Sequence, residues 1–323
     1  MGNRFGLPDL GFGVGLRTKH FAHLLEHPAG VDLFEILSEN FMATEGRPMR
    51  VLERVAEQVP VVMHGVSLSI GGPAPLDLDY LATLGRLADR VGAAWVGDHV
   101  CWTGLAGHNG HDLYPMPYTE ESLRRTVERV KQAQGVLGRP LVLENPSTYV
   151  RFAVDSMPEA EFMARLLDDA DAAMLLDVNN VYVTCRNHGL DPHAYLDALP
   201  LDRVVQIHLA GHTDHGTHCV DTHDAPVRDE VWRLYGRVIA AAGPITTIVE
   251  WDDHIPAFAE LVAETERARG VACEAPVEGD AGARTAHRRP HEARGVEGPA
   301  GPAPGQRGPS EGGSGPKQGR RGR

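Results

Sequence analysis

Cysteine is scarce in this 323-residue sequence: Cys101, Cys185, Cys219 and Cys273 are the only four, and no two are spaced as a CxxC pair. Neither a zinc knuckle nor a disulfide framework is indicated, and free thiols are expected. Long apolar runs are missing too. No stretch approaches the roughly 18 apolar residues of a membrane span, and the opening Met1-Gly-Asn-Arg-Phe-Gly-Leu-Pro lacks the charged-then-apolar layout of a secretory signal. A cytoplasmic protein with no membrane partner is the expectation. Positive charge is also short. Residues 271–323 carry nine Lys/Arg against six Asp/Glu, whereas residues 1–270 carry 22 against 38, a net −16 within the overall −13. A body this acidic repels phosphates, so no nucleic-acid partner is expected. Phosphate loops are absent as well: Gly71-Gly72-Pro73 and Gly13-Val-Gly15 are short and wrongly placed, and read as turn and strand-packing glycines.

The hydrophobic content of 42% is ample for a buried core. It is organised as eight short apolar runs: Gly11–Leu16, Leu33–Leu37, Val59–His64, Trp95–His99, Leu141–Glu144, Ala173–Val178, Val204–Leu209 and Thr246–Glu250. Their near-continuous apolar character suits strands of a parallel sheet covered on both faces. Between them lie amphipathic stretches. The segment 78–91 has apolar residues at 78, 81, 84, 87, 88 and 91, a helical stripe, and Thr119 is placed to cap a helix that follows it. Eight such units within residues 1–270 predict a single-domain α/β protein, a (β/α)8 TIM-type barrel. A doubly wound open sheet is the alternative. Residues 271–323 contain 12 Gly and 7 Pro with almost no large apolar side chains, so a disordered tail is expected there, with a basic docking arm as its functional alternative.

Histidine is abundant, with 15 of 17 lying before residue 271. The polar residues gather where strands end. The third run ends in His64-Gly, the fourth in Asp98-His99, the fifth in Glu144-Asn145, the sixth in Asp177-Val-Asn179-Asn180, the seventh in His208-Leu-Ala-Gly-His212 and the eighth in Glu250-Trp-Asp252. In a (β/α)8 barrel these ends converge on one axis, where barrel enzymes place their sites. His64, His99 and His208 supply imidazoles; Glu144, Asp177 and Glu250 supply hard oxygen donors that are able to bridge cations. One such residue alone often only caps a helix. Six crowded together are costly to desolvate without a cation, and they exceed the needs of one ion. His212, Asp221 and His223, in the loop after the seventh run, are candidates for a further ion at the same mouth. Glu35 and Glu39, beside Ser38 and Asn40 after the second run, are candidates to orient ligands by hydrogen bonds.

The ordered set Ser38-Glu-Asn-Phe, His64-Gly-Val-Ser-Leu, Asp98-His99, Glu144-Asn145, Asp177-Val-Asn-Asn180 and His208-Leu-Ala-Gly-His212 resembles the multinuclear non-heme iron-dependent oxidative enzymes, also catalogued as domain of unknown function 692 or UPF0276. The resemblance covers residues 6 to about 268. It implies a TIM-type barrel with two or three irons that uses dioxygen to modify cysteines of a ribosomally made precursor peptide, often with a separate partner protein that presents the peptide. It further implies His64, His99 and Glu144 as ligands of one iron and Asp177, His208 and Glu250 as ligands of a second, with Glu144 bridging. His212, Asp221 and His223 would serve a third, and Asn180 would join it or stand behind it. Two competing readings share the strand-end pattern: a redox-silent divalent-metal isomerase or phosphodiesterase of the xylose isomerase-like type, and a metal-storage or scaffold protein.

Overall fold

Runs such as Ala173–Asp177 and Val204–Leu209 are buried along their whole length, which requires cover on both faces. The computed structural model, which describes residues 3–105 and 108–275, supplies it. Eight strands form the sheet: β1 (Phe12–Gly15), β2 (Leu33–Leu37), β3 (Val61–Gly65), β4 (Val96–His99), β5 (Leu141–Glu144), β6 (Ala173–Asp177), β7 (Val204–Leu209) and β8 (Thr246–Val249). Each pairs in parallel with its sequence neighbours, and β1 also pairs with β8, Phe12 opposite Thr247, so the sheet closes into a barrel. Closure confirms the (β/α)8 expectation and excludes the open doubly wound sheet. Strand ends differ from the expected ones by at most two residues.

The intervening helices begin and end on local chemistry. The helix Leu78–Val91 covers the expected stripe; the Asp77 carboxylate accepts from the backbone N–H groups of Asp79 and Tyr80, and Gly92 at φ 62° ends the helix in the left-handed region. Thr119 caps the helix Glu120–Leu137 by accepting from Ser122 N, as expected. The last helix, Phe258–Glu274, runs past residue 270; the tail reading for the residues beyond 275 lies outside the described residues. Antiparallel hairpins follow β4 (Trp102–Leu105 with His108–Tyr114) and β7 (Thr213–Asp214 with Cys219–Val220), and both therefore stand at the C-terminal mouth.

Two apolar layers hold this frame. The larger lies between barrel and helices, and includes Leu81, Leu84, Phe162 and Tyr235. A smaller one consists of Leu33, Val62, Trp95, Val142, Ala173, Leu175, Val205 and Ile248, contributed almost wholly by the strands and closed by Phe5, Leu7 and Leu10. It fills the barrel interior, as such interiors are filled. Polar groups sit above it: Trp95 Nε1 donates to Gln206 Oε1 at 2.6 Å, and the Gln206 amide nitrogen donates to Glu35. Cys101, Cys185 and Cys219 are buried free thiols, and Cys273 is an exposed one. Among the described residues, no helix is long and apolar enough to cross a membrane.

Candidate metal centre

The strand ends deliver their side chains to a cavity of about 340 Å³ at the C-terminal mouth, lined by Glu35, His64, His99, Glu144, His223 and Glu250 among others. Three donor atoms meet first. His64 Nε2 lies 2.8 Å from Glu144 Oε2, His99 Nε2 lies 3.1 Å from the same oxygen, and the two nitrogens are 3.3 Å apart. Ligands about 2.1 Å from a common ion stand about 3 Å from one another. His99 Nδ1 must donate to the Gly65 carbonyl at 3.1 Å, which leaves Nε2 without a proton in the neutral ring. Gly97 makes room for the partner ring, since a Cβ there would stand 3.1 Å from His64 Nδ1.

Glu144 turns its second oxygen the other way. Oε1 lies 3.7 Å from His208 Nδ1, which is also 3.1 Å from Glu250 Oε2 and 4.0 Å from Asp177 Oδ2. The orientation of His208 is set from behind: its Nε2 lies 2.9 Å from Glu35 Oε1, so in the neutral ring Nε2 carries the proton and Nδ1 is the free nitrogen. Asp177 divides its labour at the junction of β6 and the helix Val178–His188. Oδ1 caps that helix, accepting from Asn180 N at 2.6 Å, and Oδ2 is left for the centre. The capping reading and the ligand reading of this residue are thus compatible.

A third group gathers on the rim. His223 Nδ1 is 3.0 Å from Glu250 Oε2 and 3.2 Å from Asp252 Oδ2, while its Nε2 is 2.7 Å from Asp221 Oδ1. His223 has φ 44°, a costly value for a non-glycine residue. Hydrogen bonds on both sides hold it there, His223 N to Gly211 O at 3.1 Å and Asp252 N to His223 O at 2.8 Å.

The electrostatics are those of a cation site. Burial disfavours the His64 cation, yet the Glu144 carboxylate outweighs it and raises the imidazole to about 9. For His99 burial prevails and the pKa falls. Burial opposes the charge of Glu144, but His99 and His64 hold its carboxyl well below the usual range. Burial pushes Asp177 well up, and also works against charge on His208 and His223, which Glu35 and Glu250 in one case and Asp221 and Glu250 in the other overcome. Glu144 Oε2, Asp177 Oδ2, His208 Nδ1 and Asn180 Oδ1 are buried and make no hydrogen bond, though Glu144 Oε2 is only 2.8 Å from a histidine nitrogen. Buried donor atoms that face one another without hydrogen-bond geometry fit ions between them. The groups His64/His99/Glu144, Glu144/Asp177/His208/Glu250 and His223/Glu250/Asp252 could each hold a metal ion.

Of the other sequence candidates, Asn145 and Asn180 brace these groups. Asn145 exchanges hydrogen bonds with the backbone of Asp177 at 3.0 Å, and Asn180 Nδ2 donates to Glu144 Oε1 at 3.3 Å. Asp98 accepts from Leu68 N and His99 N, and burial raises its carboxyl to about 7. Glu39 accepts from Val66 N and Tyr80 Oη. His212 stands apart from the three groups: its Nδ1 donates to Asn179 Oδ1 at 2.8 Å and its ring stacks on Tyr182, while Asn179 Nδ2 donates to Asp221 Oδ1 at 2.6 Å. Asp252 and Arg17 also line the mouth; neither is among the ligand candidates that the sequence offers, although Arg17 directly follows the run Gly11–Leu16. The motif Glu250-Trp-Asp252 is the one sequence signal that pointed to Asp252.

Comparison with known proteins gives the family and the fold. The family model described as RiPP precursor modification enzyme MbnB/TglH/ChrH matches residues 11–273. A UPF0276 protein of Anaeromyxobacter sp. (strain Fw109-5) is 55% identical over 262 residues, spanning 81% of this chain and 93% of the relative. Another, of Caulobacter vibrioides (strain NA1000 / CB15N), is 50% identical over 264 residues, spanning 81% and 94%. Among solved structures, endonuclease IV of Thermus thermophilus superposes with a TM-score of 0.54 at 20% identity, covering 82% of this chain and 98% of that one. D-psicose 3-epimerase of Clostridium cellulolyticum does so with a TM-score of 0.55 at 11% identity, covering 82% and 99%. The two structures share the barrel fold; the family match and the close relatives identify the chain as a member of the RiPP precursor modification enzyme MbnB/TglH/ChrH family.

Proposed function

We propose that this chain is a multinuclear iron enzyme that uses dioxygen to oxidise a cysteine of a ribosomally made precursor peptide. The observation that carries the reading is the position of Glu144, whose two oxygens face two different groups of donor atoms. A carboxylate so placed is suited to bridge two ions, and a centre of two or more redox metals suits a multi-electron oxidation better than a single ion does. The mixed imidazole and carboxylate set accepts iron, manganese or zinc; the choice of iron, like that of dioxygen and cysteine, rests on the resemblance seen in the sequence.

In this reading His64, His99 and Glu144 hold one ion, and Asp177, His208, Glu250 and the second oxygen of Glu144 hold another. His223, Glu250 and Asp252, with Asp221 behind His223, form the third site, and His212 positions Asp221 through Asn179. Bound iron would supply the redox chemistry that these side chains lack. The chain's own residues fix the rest. The Gly65 carbonyl and Glu35 each hold the proton of a neutral ring, on His99 and His208 in turn, at one nitrogen, which leaves the other free to serve as a ligand. A separate protein presents the peptide, again on the strength of the resemblance.

The test is anaerobic purification with metal analysis and Mössbauer spectroscopy, followed by oxygen uptake with the cysteine peptide encoded beside the gene. Iron at two or more equivalents with peptide-dependent oxygen uptake is the expected result. Zinc alone, with no oxygen consumed, contradicts the reading and favours a redox-silent enzyme.

A further inference from the structure

The mouth cavity is walled mainly by carboxylates and imidazoles, and among the described residues Arg17 is the single Lys or Arg that lines it. The guanidinium has a built seat. Gly15, at the end of β1, has no Cβ, and one placed there would stand 3.0 Å from Arg17 Nε and 3.3 Å from Nη2. The side chain thus lies folded across the glycine instead of reaching into solvent, and only 20% of it is exposed. Asp252 Oδ1 accepts from Nη2 and pins the group in place, while the other Asp252 oxygen faces His223 Nδ1 at 3.2 Å. Nε, by contrast, is buried and makes no hydrogen bond. Arg17 and Asp252 also line an adjoining cavity of about 350 Å³, walled by Leu16, Phe41 and Pro48. A fixed guanidinium, seated on Gly15 through its buried Nε and held by Asp252 through Nη2 alone, therefore stands where the metal-bearing cavity meets a half-apolar one.

A guanidinium offers five N–H donors in a planar fork that matches a carboxylate, and here one acid occupies only part of the fork. We propose that Arg17 selects the peptide by receiving a substrate carboxylate, either the C-terminal one or that of an acidic residue next to the cysteine. In a cavity of negative side chains Arg17 gives an anionic substrate a permanent cation that does not depend on bound metal. The inference deepens the reading of the chain as a peptide-modifying enzyme and rests on it.

Three probes test it with the full-length iron-loaded protein at saturating iron under anaerobic conditions: N-acetyl-alanyl-cysteine with a free carboxylate, its C-terminal amide, and the amide of N-acetyl-alanyl-cysteinyl-aspartic acid, which keeps only a side-chain carboxylate. At least one carboxylate probe is expected to bind about tenfold tighter than the plain amide, the usual worth of a charge-assisted hydrogen bond. Which one does so identifies the source of the carboxylate. Arg17→Gln removes the charge, and Gly15→Ala keeps it but displaces the guanidinium; both are expected to bring the carboxylate probe to within about twofold of the amide measured in the same variant, whereas Arg17→Lys retains part of the gap. Equal affinity of the wild type for all three probes overturns the inference, as does a gap that survives in Arg17→Gln. Oxygen uptake separates this from the underlying reading: a carboxylate preference without uptake for any cysteine peptide contradicts the oxidative function alone, and uptake with equal affinities contradicts the role of Arg17 alone.

Discussion

Glu35 Oε1 lies 2.9 Å from His208 Nε2, beneath the donor atoms and not among them, and this contact decides which nitrogen of His208 faces the centre. The carboxylate is itself held by the Gln206 amide, which Trp95 orients from the barrel interior. Glu35→Leu is expected to weaken metal binding about 10- to 100-fold at the site that uses His208, with the pair His64 and His99 still able to load. Competitive metal titration of the apoprotein reads both sites; unchanged affinity at both would show that the contact does not orient the ligand.

Gly65→Ala tests the packing behind the same centre. A Cβ would stand 2.5 Å from Asp98 Oδ2 and 3.2 Å from Tyr80 Oη, and Asp98 cannot yield freely because it is fully buried and tied to Leu68 N and His99 N. A loss of about 1–3 kcal/mol is expected, the ordinary cost of overpacking a tight site, and denaturant unfolding of the apoprotein measures it.

His212→Phe separates a positioning role from a ligand role. Phenylalanine keeps the stack on Tyr182 but loses the bond to Asn179, and with it the support of Asp221 behind His223. Severalfold weaker loading of the rim site is expected, with the rim ion still able to bind at high iron. Complete loss of one ion at saturating iron would make His212 a ligand after all.

Stability should fall with pH because of a residue remote from the metal groups. Burial raises the Glu159 carboxyl from 4.5 to about 7, against hydrogen bonds from Tyr195 and Thr148. The folded chain keeps a proton there that the unfolded chain releases, so the contribution is complete below pH 4.5 and is lost as pH rises through 7. It amounts to about 3 kcal/mol, or roughly 6–10 °C in melting temperature. Glu159→Gln should remove this part of the pH dependence, so that the wild-type-minus-variant difference in stability becomes less favourable to the wild type as pH rises through this window; a difference independent of pH would contradict the assignment.

Strand-end reading found most of this architecture because its physics is local. A parallel strand covered on both faces must be apolar along its length, so a His, Asp or Glu at or next to its last position stands out, as at His64, His99, Glu144 and Asp177. Loops obey no such rule. That His223 turns to Glu250 and Asp252 through a positive φ, while His212 turns aside to Asn179, is settled by contacts of the β7 loop with the segments after β8 and β6 that no spacing encodes. Arg17 was illegible for a related reason: its position depends on a missing Cβ two residues earlier, and a glycine at a strand end ordinarily signals only close packing.

The central claim is that Glu144 joins two ions, and metal stoichiometry tests it most directly. Wild-type protein and Glu144→Ala are reconstituted anaerobically with excess ferrous iron, freed of unbound metal and assayed for iron per chain. The account predicts two or more equivalents in the wild type and a loss of more than one in the variant, because a single substitution removes a ligand from both sites. A variant that loses one equivalent or less contradicts the bridge.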